Sequence, residues 1–150
     1  MDTLALKHVL GRMWRQKEET VTPATSAADA AVLIVDDSRT VLRAFALMLE
    51  REGYLTIPAV DGQQAIYLAK RHKPDLILMD IVMPGVDGFR ATRTLSNDPA
   101  TRAIPVIMVS SKSQESDRYW GMRQGAVDFL VKPVTPAQLV EKAQAALLTG

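Results

Sequence analysis

From Ala31 onward five short apolar runs alternate with stretches of helical periodicity, and no other feature of the sequence narrows the possible folds as far. The runs are Val32 to Val35, Tyr54 to Val60, Leu76 to Met79, Val106 to Val109 and Val127 to Val131. Between the first two, Val41, Leu42, Phe45, Ala46 and Leu49 recur at helical spacing, so a helix is expected over about 39–52, with Gly53 at its left-handed exit. A second helix runs from Asp61 and Gly62 to about His72, stopped by Pro74; a third follows Gly88 and ends before Pro99; a fourth lies between Ser113 and Gln124. The fifth has the clearest start. Thr135 can cap it, Pro136 suits the first helical position and Gln138 can bond back as in a capping box, with Leu139, Val140, Ala143, Ala146 and Leu147 on one face. Strands alternating with helices in this way build an α/β domain around a mostly parallel sheet, here (βα)5.

Composition sets the boundaries of that domain. With 150 residues, 47% hydrophobic and 23% charged, the chain supports one core. Eighteen basic against seventeen acidic residues leave a formal charge of +1, so no nucleic-acid partner is expected. The absence of Cys excludes disulfides, thiolate nucleophiles and sulfur-ligated metals. No apolar run approaches the ~20 residues needed to cross a bilayer. Lys7, His8, Arg12 and Arg15 interrupt any secretory h-region, so the chain is expected to begin where the sequence does and to work in the cytoplasm. Residues 20–30, TVTPATSAADA, lack large apolar side chains and read as a flexible linker between an arm, residues 1–19, and a body, residues 31–150. In the arm, Leu6, Val9, Leu10, Met13 and Trp14 form an apolar stripe flanked by Lys7, Arg12, Arg15 and Lys17, a basic amphipathic helix over residues 4–17. It is open whether that helix anchors to a membrane surface, docks on a partner, makes a dimer contact or is a dispensable extension.

In an open parallel sheet, ligands bind beyond the carboxyl ends of the strands, so the residues after each apolar run carry the chemistry. Here they are Asp36 and Asp37 after the first, Asp80 after the third, Ser110 and Ser111 after the fourth, and Lys132 followed by Pro133 after the fifth. Singly each has an ordinary explanation as a cap, loop acid or solvated charge. Together they do not. Three acids at one edge raise one another's proton affinity unless a cation sits among them, and Mg2+, with its preference for oxygen donors, is the natural neutraliser. One carboxylate in such a site can act as nucleophile toward a phosphoryl group while the metal and an ammonium neutralise its oxygens. Asp80, ending the central strand, is the best candidate; Asp37, with Asp36 more remote, would hold the metal, Lys132 would pair with a phosphoryl oxygen and Ser110 would offer a hydroxyl.

The stretches LIVDDS, LILMDIVMPGVDG, IPVIMVSS and GAVDFLVKPV resemble, in content and spacing, a response-regulator receiver domain of the CheY-like superfamily, over residues 31–150. The resemblance implies a flavodoxin-like, doubly wound sheet of strand order 2-1-3-4-5. It implies phosphorylation of Asp80 by a CheA-like sensor histidine kinase, and Mg2+ held by Asp37, Asp80 and the Val82 backbone carbonyl, with Asp36 acting through water. It also implies a cis peptide between Lys132 and Pro133, and a switch formed by Ser110 and Phe129 that remodels the face of helix 4, strand 5 and helix 5, where an output partner would bind. More narrowly, YWGMRQGAVDFLVKPV and MDIVMPGVDGFRATR are similar to the single-domain, PilH-like receivers of twitching motility and type IV pilus signalling. Tyr119 and Trp120 fall near that output face, although Tyr119 is expected to cover the sheet instead. Because the sequence stops at helix 5, a stand-alone receiver acting by contact is expected, with self-directed phosphoryl transfer and no enzymatic turnover of another substrate. Neither Val82, two residues after Asp80, nor Lys112, two after Ser110, can guide a water onto the phosphoryl group, so self-dephosphorylation is expected to be slow. Rival readings are a phosphate sink, a phosphorylation-independent binding module and a Mg2+-dependent phosphatase of the haloacid-dehalogenase type, whose signature needs an acid where Val82 stands.

Overall fold

The computed structural model describes residues 29–111 and 115–149, and the expected arm, most of the linker and Lys112 lie outside them. In chain order the elements are β1 Ala31–Val35, α1 Arg39–Glu50, β2 Leu55–Ala59, α2 Gly62–His72, β3 Leu76–Asp80, α3 Gly88–Asn97, β4 Val106–Ser110, α4 Glu115–Arg123, β5 Asp128–Val131 and α5 Pro136–Thr149. All pairings are parallel and the sheet order is β2-β1-β3-β4-β5, as the resemblance implied. No described helix is long and apolar enough to cross a membrane.

The central strands AVLIV, LILMD and VIMVS are buried along their whole length because helices cover both faces. Alternation along each strand sorts the core into two layers. Leu33, Val35, Ile77, Met79 and Met108 face Ala65, Ala69, Ala91 and Leu95 of α2 and α3. Val32, Ile34, Leu78, Ile107 and Val109 face Leu42, Phe45 and Leu49 of α1 and Leu139, Ala143 and Ala146 of α5. Pro58, which cannot donate to a ladder, sits on edge strand β2.

The helix starts follow local chemistry. Ser38, Asp61 and Asp87 cap α1, α2 and α3 by accepting from the N–H groups of Val41, Gln64 and Arg90. At α5 the expected capping box is reciprocal: Thr135 Oγ1 accepts from Gln138 N–H at 3.1 Å and Gln138 Oε1 from Thr135 N–H at 3.0 Å. The ends differ by a residue or two from the sequence expectation. Helix α1 stops at Glu50 because Glu52 and Gly53 turn back to bond Leu49 and Glu50, with Gly53 at φ 91°. Tyr54 bonds into that turn, so β2 starts at Leu55, whose N–H is the first to reach Ala30. Asp80 and Ser110 belong to their strands rather than following them.

Helix α4 corrects one expectation. Tyr119 and Trp120 are both exposed, at 56% and 51%, and pack edge-on to each other with ring centroids 5.8 Å apart. The residue that meets the sheet is Gly121, where a Cβ would stand 2.8 Å from Met108 Sδ, so the helix rests on β4 through its glycine and turns both rings outward.

Leu33→Ala, a truncation at a fully buried position on β1, is expected to cost about 2–5 kcal/mol in urea unfolding, whereas Leu148→Ala, 82% exposed, is expected to stay within about 0.5 kcal/mol of wild type.

Candidate functional site

Strand register brings the acids together. Val35 of β1 pairs with Met79 of β3, so the next residues, Asp36 just past β1 and Asp80 at the end of β3, stand side by side at the carboxyl edge, with Asp37 one residue further along. One carboxylate oxygen from each of Asp36, Asp37 and Asp80 lies within 4.8 Å of the other two. Asp36 and Asp80 are buried and Asp37 is exposed. Lys132, directly after β5, reaches across the edge: its Nζ donates to Asp36 Oδ2 at 2.8 Å and to Asp80 Oδ1 at 3.1 Å. Asp36 is held twice more, its Oδ1 accepting from Ser38 N–H at 2.9 Å and its own N–H donating to the Ala59 carbonyl at 3.1 Å.

Ser110 is buried at the end of β4, one residue beyond Val109, the register partner of Asp80. Its carbonyl accepts from Lys132 N–H at 2.7 Å, which ties the lysine backbone to the same edge. Phe129 lies opposite Met108 and is buried in the layer under α2 and α3. The Lys132–Pro133 peptide is cis. Val82, two residues beyond Asp80, is 70% exposed, so that position presents an apolar side chain at the rim. All the residues expected at the site except Phe129, which lies within the core layer, therefore fall at or beside one sheet edge.

Two glycines were not singled out from the sequence for this role. A Cβ on Gly88 would overlap the Asp80 carbonyl oxygen and stand 2.8 Å from Ile81 Cα, while Gly88 N–H donates to the Ile81 carbonyl at 2.8 Å. A Cβ on Gly62 would overlap the Val86 carbonyl oxygen. Each follows a capping aspartate, in DGQQ and DGFR, and glycine is a poor helix former, which is the signal that space rather than propensity chose it.

Three carboxylates against one ammonium leave the cluster two charges negative when all are ionised. Burial, with the negative charge of Asp36 second, raises the Asp80 pKa above its ordinary 3.8, outweighing the lowering by Lys132. For Lys132, burial acts to lower the pKa, but the hydrogen bond to Asp36 and the charge of Asp80 outweigh it and hold the ammonium above its ordinary value. An excess of negative charge presented on hard oxygen donors, two of the three carboxylates buried, fits a divalent cation of the Mg2+ type.

The sequence profile of the response regulator receiver domain matches residues 32–144. The chain belongs to that family. The receiver is 50% identical over 118 residues to the protein PilH of Pseudomonas aeruginosa, spanning 79% of this chain and 98% of the relative. Among solved structures, the chemotaxis protein CheY4 of Vibrio cholerae superposes with a TM-score of 0.75 at 30% identity, over 79% of this chain and 98% of that one. The receiver domain of a Pseudomonas aeruginosa sensor histidine kinase superposes with a TM-score of 0.74 at 31% identity, over 79% and 97%, and holds a magnesium ion in its active-site cleft. Receiver domains serve phosphorelay signalling: they accept a phosphoryl group from histidine kinases, bind Mg2+ in an acidic site and act on partners rather than as enzymes.

The raised Asp80 pKa sets a sign for stability. Between 3.8 and its folded pKa the native state binds more protons than the unfolded one, so the group's contribution falls as pH rises through that window and recovers on acidification. In metal-free buffer Asp80→Asn is therefore expected to be more stable than wild type at neutral pH, by a margin that shrinks as pH falls below the window; chemical denaturation at a series of pH values checks both statements.

Proposed function

We propose that the receiver is phosphorylated on Asp80 by a CheA-like sensor histidine kinase and that this switches its affinity for a protein partner. The observation that carries the reading is Lys132 bridging Asp36 and Asp80 beside the exposed Asp37. Asp80 ends the central strand with its carboxylate already paired to the ammonium that the incoming group needs. In the transfer an Asp80 oxygen attacks phosphorus, the bond from phosphorus to the donor imidazole breaks, and its electron pair stays on the imidazole nitrogen. Lys132 moves its hydrogen bond from Asp80 to a phosphoryl oxygen, and the Ser110 hydroxyl donates to another. Asp37, Asp80 and the Val82 carbonyl would hold Mg2+ directly and Asp36 through water. Once bound, the ion neutralises charge on the phosphoryl oxygens.

The output step is a two-state equilibrium. Drawing Ser110 toward the phosphoryl group vacates volume that the Phe129 ring enters, and the α4, β5 and α5 face changes shape. Moving from 1:99 to 99:1 takes about 5.5 kcal/mol of differential interaction. On that face Trp120, Tyr119, Val127 and Val131 are exposed and apolar enough to meet a partner. The identity with PilH, shared over nearly the whole of that relative, favours a stand-alone cytoplasmic regulator in type IV pilus or chemotaxis-like signalling over a phosphate sink or a phosphorylation-independent module. The haloacid-dehalogenase reading has no support, because Val82 occupies the place of its second acid.

Incubation with a small-molecule phosphodonor and Mg2+ is expected to add one phosphoryl mass to wild type and none to Asp80→Ala; equal labelling of the mutant would reject Asp80 as the acceptor. Since Val82 cannot orient a water, the phosphoryl group is expected to outlast seconds by a wide margin. Val82→Asn, which supplies a carboxamide at that exposed position, is expected to shorten its lifetime about tenfold or more in the same mass assay.

A further inference from the structure

The loop between β3 and α3, residues 81–87, starts at the proposed phosphoacceptor and includes Val82, whose carbonyl is the proposed backbone ligand for Mg2+. Its two ends are fixed by α3. Asp87 caps the helix, accepting from Arg90 N–H at 2.9 Å, and Gly88 N–H donates to the Ile81 carbonyl at 2.8 Å. Between those ends the loop meets a different element. Gly62, the buried first residue of α2, lies so close to Val86 that a Cβ there would overlap the Val86 carbonyl oxygen and stand 3.0 Å from both Val86 Cβ and Val86 Cγ1.

The connection that carries Gly62 is itself stiff. Asp61 Oδ1 accepts from Gln64 N–H at 2.8 Å, and Gln64 Oε1 accepts from Val60 N–H at 2.9 Å, a reciprocal cap around residues 60–64. At its start, the Ala59 carbonyl accepts from Asp36 N–H at 3.1 Å. The β2–α2 connection therefore touches the backbone of Asp36 at one end and the loop beyond Asp80 at the other. Glycine is less favourable than alanine in a helix, and Gly62 is not in the left-handed region, so the close approach to Val86 is what requires it.

We propose that Gly62 is a positioning residue: its missing side chain lets the β2–α2 connection brace the 81–87 loop at Val86, and so holds Val82 in place beside the Asp36, Asp37 and Asp80 carboxylates. The proposal rests on the reading of that cluster as a Mg2+ and phosphoryl site. A Cβ at position 62 pushes on the Val86 backbone and the root of its side chain, not on a flexible side-chain end, so the loop and the start of α2 cannot keep their present approach.

Calorimetric Mg2+ titration of the full chain tests it, with Gly125→Ala as control, since its Cβ would crowd Ser96 before the amino end of β5, away from the carboxyl edge that holds the acids. Gly62→Ala is expected to lose about tenfold or more in Mg2+ affinity, as losses of supporting contacts around a metal do. Gly125→Ala is expected to keep wild-type affinity even where its melting temperature falls as far. Wild-type affinity in folded Gly62→Ala would overturn the proposal. Should Gly62→Ala fail to fold, Val86→Ala decides, with weakened Mg2+ binding expected and unchanged binding overturning it. Backbone amide shifts in metal-free protein separate this inference from the reading beneath it. If wild type binds no Mg2+, the metal-site reading fails, yet the Val82 amide is still expected to move in Gly62→Ala and to stay in Gly125→Ala; an unmoved Val82 amide would end the brace.

Discussion

The Lys132 ammonium is shared between two buried carboxylates that arrive on different strands, and the arrangement of the whole sheet edge depends on it. A lone ammonium cannot neutralise Asp36, Asp37 and Asp80 together, so the cluster keeps an excess of negative charge. That excess costs stability in the metal-free protein and is also what makes the edge receptive to a divalent cation. Under the proposed function, a phosphoryl group on Asp80 would change the balance again by offering Lys132 a new acceptor in place of the Asp80 carboxylate. Structural cost and signalling capacity thus come from the same few charges.

Precision at this edge depends on close backbone packing away from the charges. Parallel register sets Asp36 beside Asp80, and the Lys132 N–H bond to the Ser110 carbonyl sets the lysine one strand further along. Gly88 lets α3 press against the Asp80 carbonyl, Gly62 lets α2 press against Val86, and Gly121 lets α4 lie on Met108. Each glycine sits where a helix comes into close contact with a strand or with the loop that follows one.

Much of this was legible in the sequence, for definable reasons. Strand burial and helix caps are local, so the apolar runs and the Thr135 to Gln138 box stand where the pattern put them. The convergence of Asp36, Asp37, Asp80 and Lys132 was legible because the carboxyl ends of parallel strands share one edge, while the strand order came through the family resemblance. The double hydrogen bond of Lys132 joins residues 96 and 52 positions apart, and no local pattern encodes it. Tyr119 was misjudged because an aromatic on a helix next to a sheet reads as cover, whereas the covering is done by a glycine that has no hydrophobic signal. Gly62 and Gly88 were passed over for the same reason: their role is in the space they leave.

The excess negative charge at the carboxyl edge is tested most directly by thermal melting of the full chain at neutral pH as Mg2+ is titrated in. Binding to the native state alone should give a saturating rise in Tm, abolished in Asp37→Asn, where the exposed carboxylate of the cluster is gone. A Tm that does not respond to Mg2+, or a rise that survives unchanged in Asp37→Asn, would contradict a cation site built from these three acids.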